Sequence, residues 1–236
     1  MIQVQDLSKS FGKLQVLKKV QVSFQAGQCV SLIGPNGSGK TTLIKCILGL
    51  VLPDQGDVIF DEKSILQQHE HRVHFGYMPQ SANYPGHMNI GQVIDMMRDI
   101  RGARHTDEEL MEEFRLHDLY SKKMNTLSGG TRQKVNAALA FLFDPRVLIL
   151  DEPTAGLDPV ASEILKNKIQ RSREKGKLIL LTSHILSDLD ELVTEVVYIQ
   201  EGKILYQDTI NSLREKTGEV RLSTSIARIM KESGYV

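Results

Sequence analysis

The chain has 236 residues, of which 41% are hydrophobic and 25% charged, as in globular proteins that fold in water. Its 29 basic and 29 acidic residues balance, so no overall positive field argues for nucleic acid as a partner. No apolar run reaches the ~18–20 residues that span a bilayer, and the N-terminus lacks the basic flank and apolar stretch of a signal peptide. We therefore expect one large domain, or a core with a subdomain, that stays in the cytoplasm with Cys29 and Cys46 as buried thiols.

The N-terminal segment alternates apolar and polar residues, which predicts an antiparallel sheet. The apolar members of this alternation are Ile2, Val4, Val20, Val22 and Phe24. A short, mostly apolar segment at 29–33 then predicts a buried strand. Further along, a turn cluster at 53–56 precedes an apolar segment at 57–60, and residues 74–78 are typical of another short strand.

The stretch from Gly34 to Thr41 fits the pattern G-x-x-x-x-G-K-[ST] of a phosphate-binding loop. It lies between the predicted strand at 29–33 and a segment with apolar residues at helical spacing. This order of strand, loop and helix directs backbone N–H groups and the positive end of the helix toward a polyphosphate. Lys40 would then reach the β- and γ-phosphates, and the Thr41 hydroxyl would hold magnesium. The residues predicted to bind the nucleotide here are Gly34, Pro35, Asn36, Gly37, Ser38, Gly39, Lys40, Thr41 and Thr42.

Helical patterns dominate from about residue 81 to 145, including a predicted capping box at Thr106–Glu109. We interpret 81–145 as a helical subdomain inserted into an α/β core formed by 1–80 and 146–216, with a short tail at 217–236. The α/β pattern resumes with a buried strand at 147–150, a helix at 159–175 and a second buried strand within 177–182. Glu201-Gly202 predicts a hairpin turn between strands at 195–200 and 203–207, followed by a short helix at 209–216.

Two further motifs carry chemistry. The strand at 147–150 ends in Asp151 and Glu152, where Asp151 can bind the magnesium and Glu152 can polarise the attacking water. Leu127-Ser128-Gly129-Gly130 opens a helix with serine at its cap, which makes a second anion-binding helix end. One ATP needs only one phosphate loop, so the second site requires an explanation; the alternative is a capped helix start without a ligand.

With these motifs in this order, the chain resembles the nucleotide-binding subunits of ATP-binding-cassette (ABC) transporters from about Ile2 to Lys216. The resemblance implies an α/β fold with a P-loop NTPase (RecA-like) core, an antiparallel β subdomain and an inserted helical subdomain. It implies ATP and Mg²⁺ as cofactors, ATP hydrolysis coupled to transport, and a peripheral place on the cytoplasmic face of the membrane. It also implies a membrane permease as partner and a second copy bound head-to-tail, so that Ser128, Gly129 and Gly130 of one chain contact the ATP on the other chain's loop.

The resemblance assigns four more residues. Phe11 matches the aromatic residue that stacks on adenine, and Gln80 matches the glutamine that approaches magnesium. Asp158 matches the loop that crosses the dimer interface, although it is also a plausible helix cap before Pro159. His184 matches the histidine that contacts the γ-phosphate. Thr131 departs from the family, where glutamine is commonest after the two glycines.

The residues 128–135 and 158–163 resemble the ATPases associated with nitrous-oxide reductase maturation, which implies a periplasmic maturation protein as a further partner and a link to copper. ATPases of drug or cytochrome-assembly exporters are alternatives. His69, His71 and His74 could suggest copper binding by the chain itself, but we interpret this segment as a solvated turn because no cysteine accompanies it.

Three other functions fit the sequence less well. An ABC ATPase of translation or DNA repair usually carries two cassettes or a long coiled-coil insertion, and neither is visible. A small P-loop kinase does not need residues 127–130 together with His184. A non-catalytic binding module does not need Lys40, Asp151, Glu152 and His184.

Overall fold

The computed structural model describes residues 1–66, 69–102, 105–182 and 191–232. The strands are β1 (Ile2–Phe11), β2 (Leu14–Phe24), β3 (Cys29–Ile33), β4 (Gln55–Phe60), β5 (Lys63–Ser64), β6 (Phe75–Met78), β7 (Val147–Asp151), β8 (Leu178–Thr182), β9 (Glu195–Gln200) and β10 (Lys203–Thr209). The α-helices are α1 (Lys40–Ile47), α2 (Ile90–Arg101), α3 (Glu109–Glu113), α4 (Gly129–Phe141), α5 (Pro159–Glu174), α6 (Ile210–Thr217) and α7 (Leu222–Glu232). Within the described ranges, no helix combines the length and apolar character that a membrane crossing requires.

The chain divides into two compact units, one formed by Met1–Arg72 with Leu180–Val236 and the other by Val73–Ile179. In the first unit, an antiparallel sheet has the strand order β2-β1-β4-β5. Its register pairs Ile2 with Phe24 and Val4 with Val22, and these four side chains are buried. The predicted alternation is confirmed: one face of this sheet lies in the core, and the intervening residue Gln3 is exposed.

The first unit also contains the neighbouring strands β10, β9 and β3. β3 pairs in parallel with β9, and all five residues of β3 are buried, as its short apolar segment predicted. β9 and β10 form the predicted hairpin, whose turn residues Glu201 and Gly202 both have positive φ angles, 48° and 78°. Positive φ at both turn positions matches the right-handed twist of the two strands.

In the second unit, β6 pairs in parallel with β7, and every residue of β7 is buried. α2 begins with a capping box in which Asn89 Oδ1 accepts from Gln92 N and Gln92 Oε1 accepts from Asn89 N. The capping box predicted at Thr106–Glu109 is wrong. The Thr106 hydroxyl donates to Glu108 Oε1, and the N-cap residue Glu108 makes no capping hydrogen bond of its own. Glu109 N donates instead to Asp107 Oδ1 at 3.2 Å, and long-range ion pairs also hold this first turn.

The anchor of α3 is Lys168 on α5, whose side chain is only 4% exposed. Its Nζ lies 2.5 Å from Asp107 Oδ2 and 2.7 Å from Glu109 Oε2, and Glu109 also pairs with Arg171. These contacts join residues about 60 positions apart in sequence, so they tie the start of α3 to α5.

Lys168→Met should lower the free energy of unfolding by about 1–3 kcal/mol, because two carboxylates lose their shared cation. The loss stays below that of a fully buried pair since both carboxylates retain some contact with water. Urea unfolding measures it, with the exposed Lys175→Met as the matched control. A loss no greater than that of the control would show that the network does not stabilise the unit.

Candidate functional site

The predicted phosphate loop joins β3 to α1 in the first unit. Gly34 has φ 152° and Gly39 has φ 110°, both positions where side chains are rarely tolerated. A Cβ on Gly34 would lie 2.0 Å from the Ile199 carbonyl oxygen, and one on Gly39 would lie 2.9 Å from Leu17 Cδ2. The glycines of the motif are therefore required by close approach of neighbouring strands as well as by the loop's own shape.

The loop also presents polar groups that fit a polyphosphate. Gly39 is the N-cap of α1 and offers no side-chain acceptor, so the first N–H groups of the helix are left for another acceptor. Lys40 Nζ donates to the carbonyl oxygens of Gly34 and Pro35 at 2.7 and 2.9 Å. Ser38 Oγ is buried and, among the described residues, has no hydrogen-bond partner. A buried hydroxyl without a partner is costly unless a ligand supplies one.

Phe11, the predicted adenine platform, is the last residue of β1 and is 51% exposed. Lys9 Nζ lies 5.5 Å from the centre of its ring, and Lys9 is in turn paired with Asp54 at 2.8 Å. An aromatic ring exposed on one side and flanked by a cation is chemically suited to stacking on a base.

The second predicted anion site, the start of α4, lies in the second unit and has the expected form. Ser128 is the N-cap, and its Oγ accepts from Thr131 N at 3.2 Å. Thr131 Oγ1 lies 2.8 Å from Ser128 Oγ, so the unusual threonine adds a hydroxyl contact to the cap. A Cβ on Gly130 would lie 2.9 Å from the Gly156 carbonyl oxygen, whereas one on Gly129 would meet nothing within 4 Å.

Asp151 is the last residue of β7 and is buried, with 8% exposure. Burial is the main reason that the pKa of Tyr77 is raised to about 12, and the negative charge of Asp151 adds to it. Tyr77 therefore stays a neutral phenol. Glu152 follows with φ 52°, a left-handed conformation that is uncommon for a residue with a side chain and that clusters at functional sites.

Asp158 has the capping role that the sequence left open. Its Oδ1 accepts from Ala161 N at 2.9 Å, with Pro159 in the first turn of α5. Its Oδ2 accepts from Lys134 Nζ at 2.7 Å, and the Lys134 hydrogen bond is the main reason that the pKa of Asp158 lies below its usual range. Asp158 is therefore a carboxylate at neutral pH, held against α4.

Gln80 is exposed just after β6, and His184 lies outside the described residues. Of the three histidines, His69 is exposed as expected, but the solvated-turn interpretation is wrong for His71, which is 7% exposed and packs beside Gly49. In the described part of the chain, no group of three His, Cys, Asp or Glu residues could hold a metal ion.

Two residues that the sequence did not indicate contact the predicted catalytic segment. Gln133 is 7% exposed and donates its amide to the Glu152 and Pro153 carbonyls, while Lys134 pairs with Asp158. Their position immediately after residues 128–131 was the available signal, but nothing local indicates which distant loop they contact.

Comparison with known proteins indicates the same family that the sequence motifs resemble. The ABC transporter family matches residues 17–155. The lipopolysaccharide export ATP-binding protein LptB of Acidithiobacillus ferridurans is 34% identical over 213 residues, covering 87% of this chain and 88% of that protein. The Nod factor export ATP-binding protein I of Burkholderia lata is 32% identical, with 91% and 72% covered. The lantibiotic transport ATP-binding protein SrtF of Streptococcus pyogenes is 31% identical, with 88% and 90% covered.

Solved structures share the fold. One described as the ATP-binding subunit of an ABC transporter has a TM-score of 0.89 and 29% identity, covering 98% of this chain and 99% of that one. The MJ0796 cassette bound to ADP and Pi has a TM-score of 0.79, with 89% and 99% covered; at 22% identity it bears on the fold alone. The mixed α/β fold, with a phosphate-loop core sheet and an antiparallel β subdomain, is thereby confirmed. The chain belongs to the ABC transporter family, and it is the ATP-binding, energising ATPase of such a transporter.

Proposed function

We propose that this chain works as one half of a head-to-tail pair of cassettes that powers a separate permease from the cytoplasmic face of a membrane. The observation that carries the proposal is that one chain has two helix starts of the kind that binds anions, at the end of the Gly34–Thr41 loop and at the Ser128-capped start of α4. In a head-to-tail pair, the loop of one chain and the capped helix of the other bind the same ATP, which accounts for both features.

In this proposal, the loop residues and Lys40 bind the phosphates, and the exposed ring of Phe11 stacks on adenine. Ser38 gains the hydrogen bond that its buried hydroxyl lacks within the described chain. Ser128 and Gly130 of the opposite chain bind the γ-phosphate at the positive end of α4.

Thr41, Gln80 and Asp151 would hold the magnesium ion. Hydroxyl, amide and carboxylate oxygens are the hard donors that Mg²⁺ prefers, so this donor set fits the ion. When bound, the ion neutralises the charge on the phosphate oxygens.

Glu152 is the proposed general base. Its carboxylate orients and deprotonates the water that attacks the γ-phosphate, and His184 contacts that phosphate. Proton abstraction by a positioned carboxylate typically contributes ~10²–10⁴ in rate. Asp158 belongs to the segment that crosses the pair's interface, and its bond to Lys134 keeps it charged there.

We further propose that the cargo is exported, because two of the relatives named above serve export systems. The narrower prediction, a permease with a periplasmic maturation protein of nitrous-oxide reductase, rests on residues 128–135 and 158–163 and on no relative named here.

The test is to isolate the Glu152→Gln protein, trapped with ATP, from native membranes and identify the proteins that come with it. A permease supports the proposal, and a nitrous-oxide reductase maturation protein beside it supports the narrower prediction. Ribosomes or DNA without any membrane protein would contradict both.

A further inference from the structure

The segment from Glu152 to Asp158 lies along the first turns of α4 and meets three residues of that helix, Gln133, Gly130 and Lys134. At one end, Gln133 Nε2 donates to the Glu152 carbonyl oxygen at 3.1 Å and reaches the Pro153 carbonyl oxygen at 3.4 Å. Near the other end, the Gly156 carbonyl oxygen lies so close to Gly130 that a Cβ there would be 2.9 Å away. α4 therefore supports the whole segment, and Gln133 supports the residue proposed as general base.

The Gln133 hydrogen bond is made to a residue with an unusual backbone conformation. Glu152 has φ 52°, a left-handed conformation that is unfavourable for a residue with a side chain unless its surroundings hold it. Its carbonyl oxygen accepts two hydrogen bonds, from Ala155 N at 3.1 Å and from Gln133 Nε2 at 3.1 Å. The first closes the turn locally, and the second fixes that turn to a helix.

Gln133 is suited to this role because it is itself fixed. It is 7% exposed, on a helix in which eight of the thirteen residues are buried, so its amide has little freedom to turn elsewhere. An apolar side chain of similar size would fill the space but would leave the Glu152 carbonyl with one donor fewer.

We propose that Gln133 is a positioning residue for Glu152: its amide holds the peptide that follows Glu152, and so fixes the direction in which the Glu152 carboxylate leaves the end of β7. This inference rests on the proposed role of Glu152. Gln133 itself touches neither water nor nucleotide in this role; it acts through the backbone of Glu152.

Gln133→Met tests the proposal with little change in volume. We expect kcat for ATP hydrolysis to fall about tenfold, as the loss of one positioning hydrogen bond implies. The KM for ATP should change less than about twofold, since the nucleotide is bound by other residues. The control is Gln170→Met, an exposed glutamine on α5. Equal kcat values for the two variants would overturn the proposal.

Gln133→Glu keeps the length of the side chain and gives a readout that a purely structural role would not produce. When ionised, the new carboxylate has no proton to donate and repels the two carbonyl oxygens; when protonated, it donates one hydrogen bond. The ratio of its kcat to that of the unmodified chain should therefore rise as the pH is lowered. A ratio that stays constant with pH would contradict the role of the amide as donor.

A double-mutant comparison separates this inference from the proposed function. If Gln133 acts through Glu152, Gln133→Met should not lower the residual hydrolysis of Glu152→Gln any further. An equal fold loss in both backgrounds would overturn the positioning role while leaving Glu152 as the base. Hydrolysis by Glu152→Gln at the unmodified rate would remove the base assignment, and the inference with it.

Discussion

Glu152→Gln should hydrolyse ATP ~10²–10⁴-fold more slowly than the unmodified chain while still binding it, because the amide cannot accept the proton of the attacking water. The substitution keeps the shape of the side chain. It also keeps the backbone contacts that hold residue 152 at φ 52°, because those contacts involve its carbonyl oxygen. Release of phosphate under saturating ATP measures the rate, and binding of labelled ATP on the same samples measures the affinity.

The matched control is Glu163→Gln, an exposed glutamate on α5 whose loss should leave turnover unchanged. If Glu152→Gln turned over ATP as fast as this control, another residue would have to be the base. Loss of ATP binding in Glu152→Gln would indicate a binding role in place of the catalytic one.

Lys40→Met should weaken ATP binding about 10–100-fold, which is the loss expected for a charged hydrogen bond to the phosphates. In the structure, Lys40 Nζ is held at the mouth of the loop by the carbonyl oxygens of Gly34 and Pro35, at 2.7 and 2.9 Å. These contacts keep the ammonium group beside the loop that is proposed to bind the phosphates. Titration calorimetry with ATP measures the change in affinity.

Lys45→Met is the control for the same helix, since Lys45 is exposed on α1. Thermal unfolding of both variants separates a loss of affinity from a loss of fold. An affinity for ATP equal to that of Lys45→Met would show that Lys40 does not contact the phosphates.

The elements that sequence predicted best are those with local causes. The apolar run of β3, the glycines of the following loop and the periodicity of α1 are adjacent in the chain, so their joint arrangement could be inferred without knowing the tertiary structure. The Glu201-Gly202 hairpin is of the same kind, because the turn conformation depends on its own two residues.

The features that sequence did not reveal depend on distant contacts. The first turn of α3 is anchored by Lys168 from about 60 residues away, and this contact replaces the local capping box that was predicted. Gln133 and Gly130 contact a segment that follows them by 19 to 26 residues, and only the tertiary structure brings these parts together. His71 is buried by packing beside Gly49, which the polar composition of its neighbourhood does not indicate.

The reactive residues were easier to predict from the sequence than the contacts that hold them in place. Asp151, Glu152 and Ser128 could be singled out because each stands at the end of a strand or the start of a helix, where reactive groups are usually presented. The left-handed backbone of Glu152 and the amide that holds it could not, since a φ angle at one residue is set by the packing of several others.

The central claim is that each ATP is bound by the loop of one chain and the capped helix of the other. The most direct measurement mixes two variants, Lys40→Met and Ser128→Arg, each expected to be nearly inactive alone. In a head-to-tail pair, the loop of the Ser128→Arg chain meets the intact capped helix of the Lys40→Met chain. Half of the pairs in an equimolar mixture should be mixed and contain one intact site of two, so ATP hydrolysis should recover to about a quarter of the unmodified rate. If the mixture stays as inactive as its components, the phosphate loop and Ser128 do not complete each other's sites across two chains, and the account is wrong.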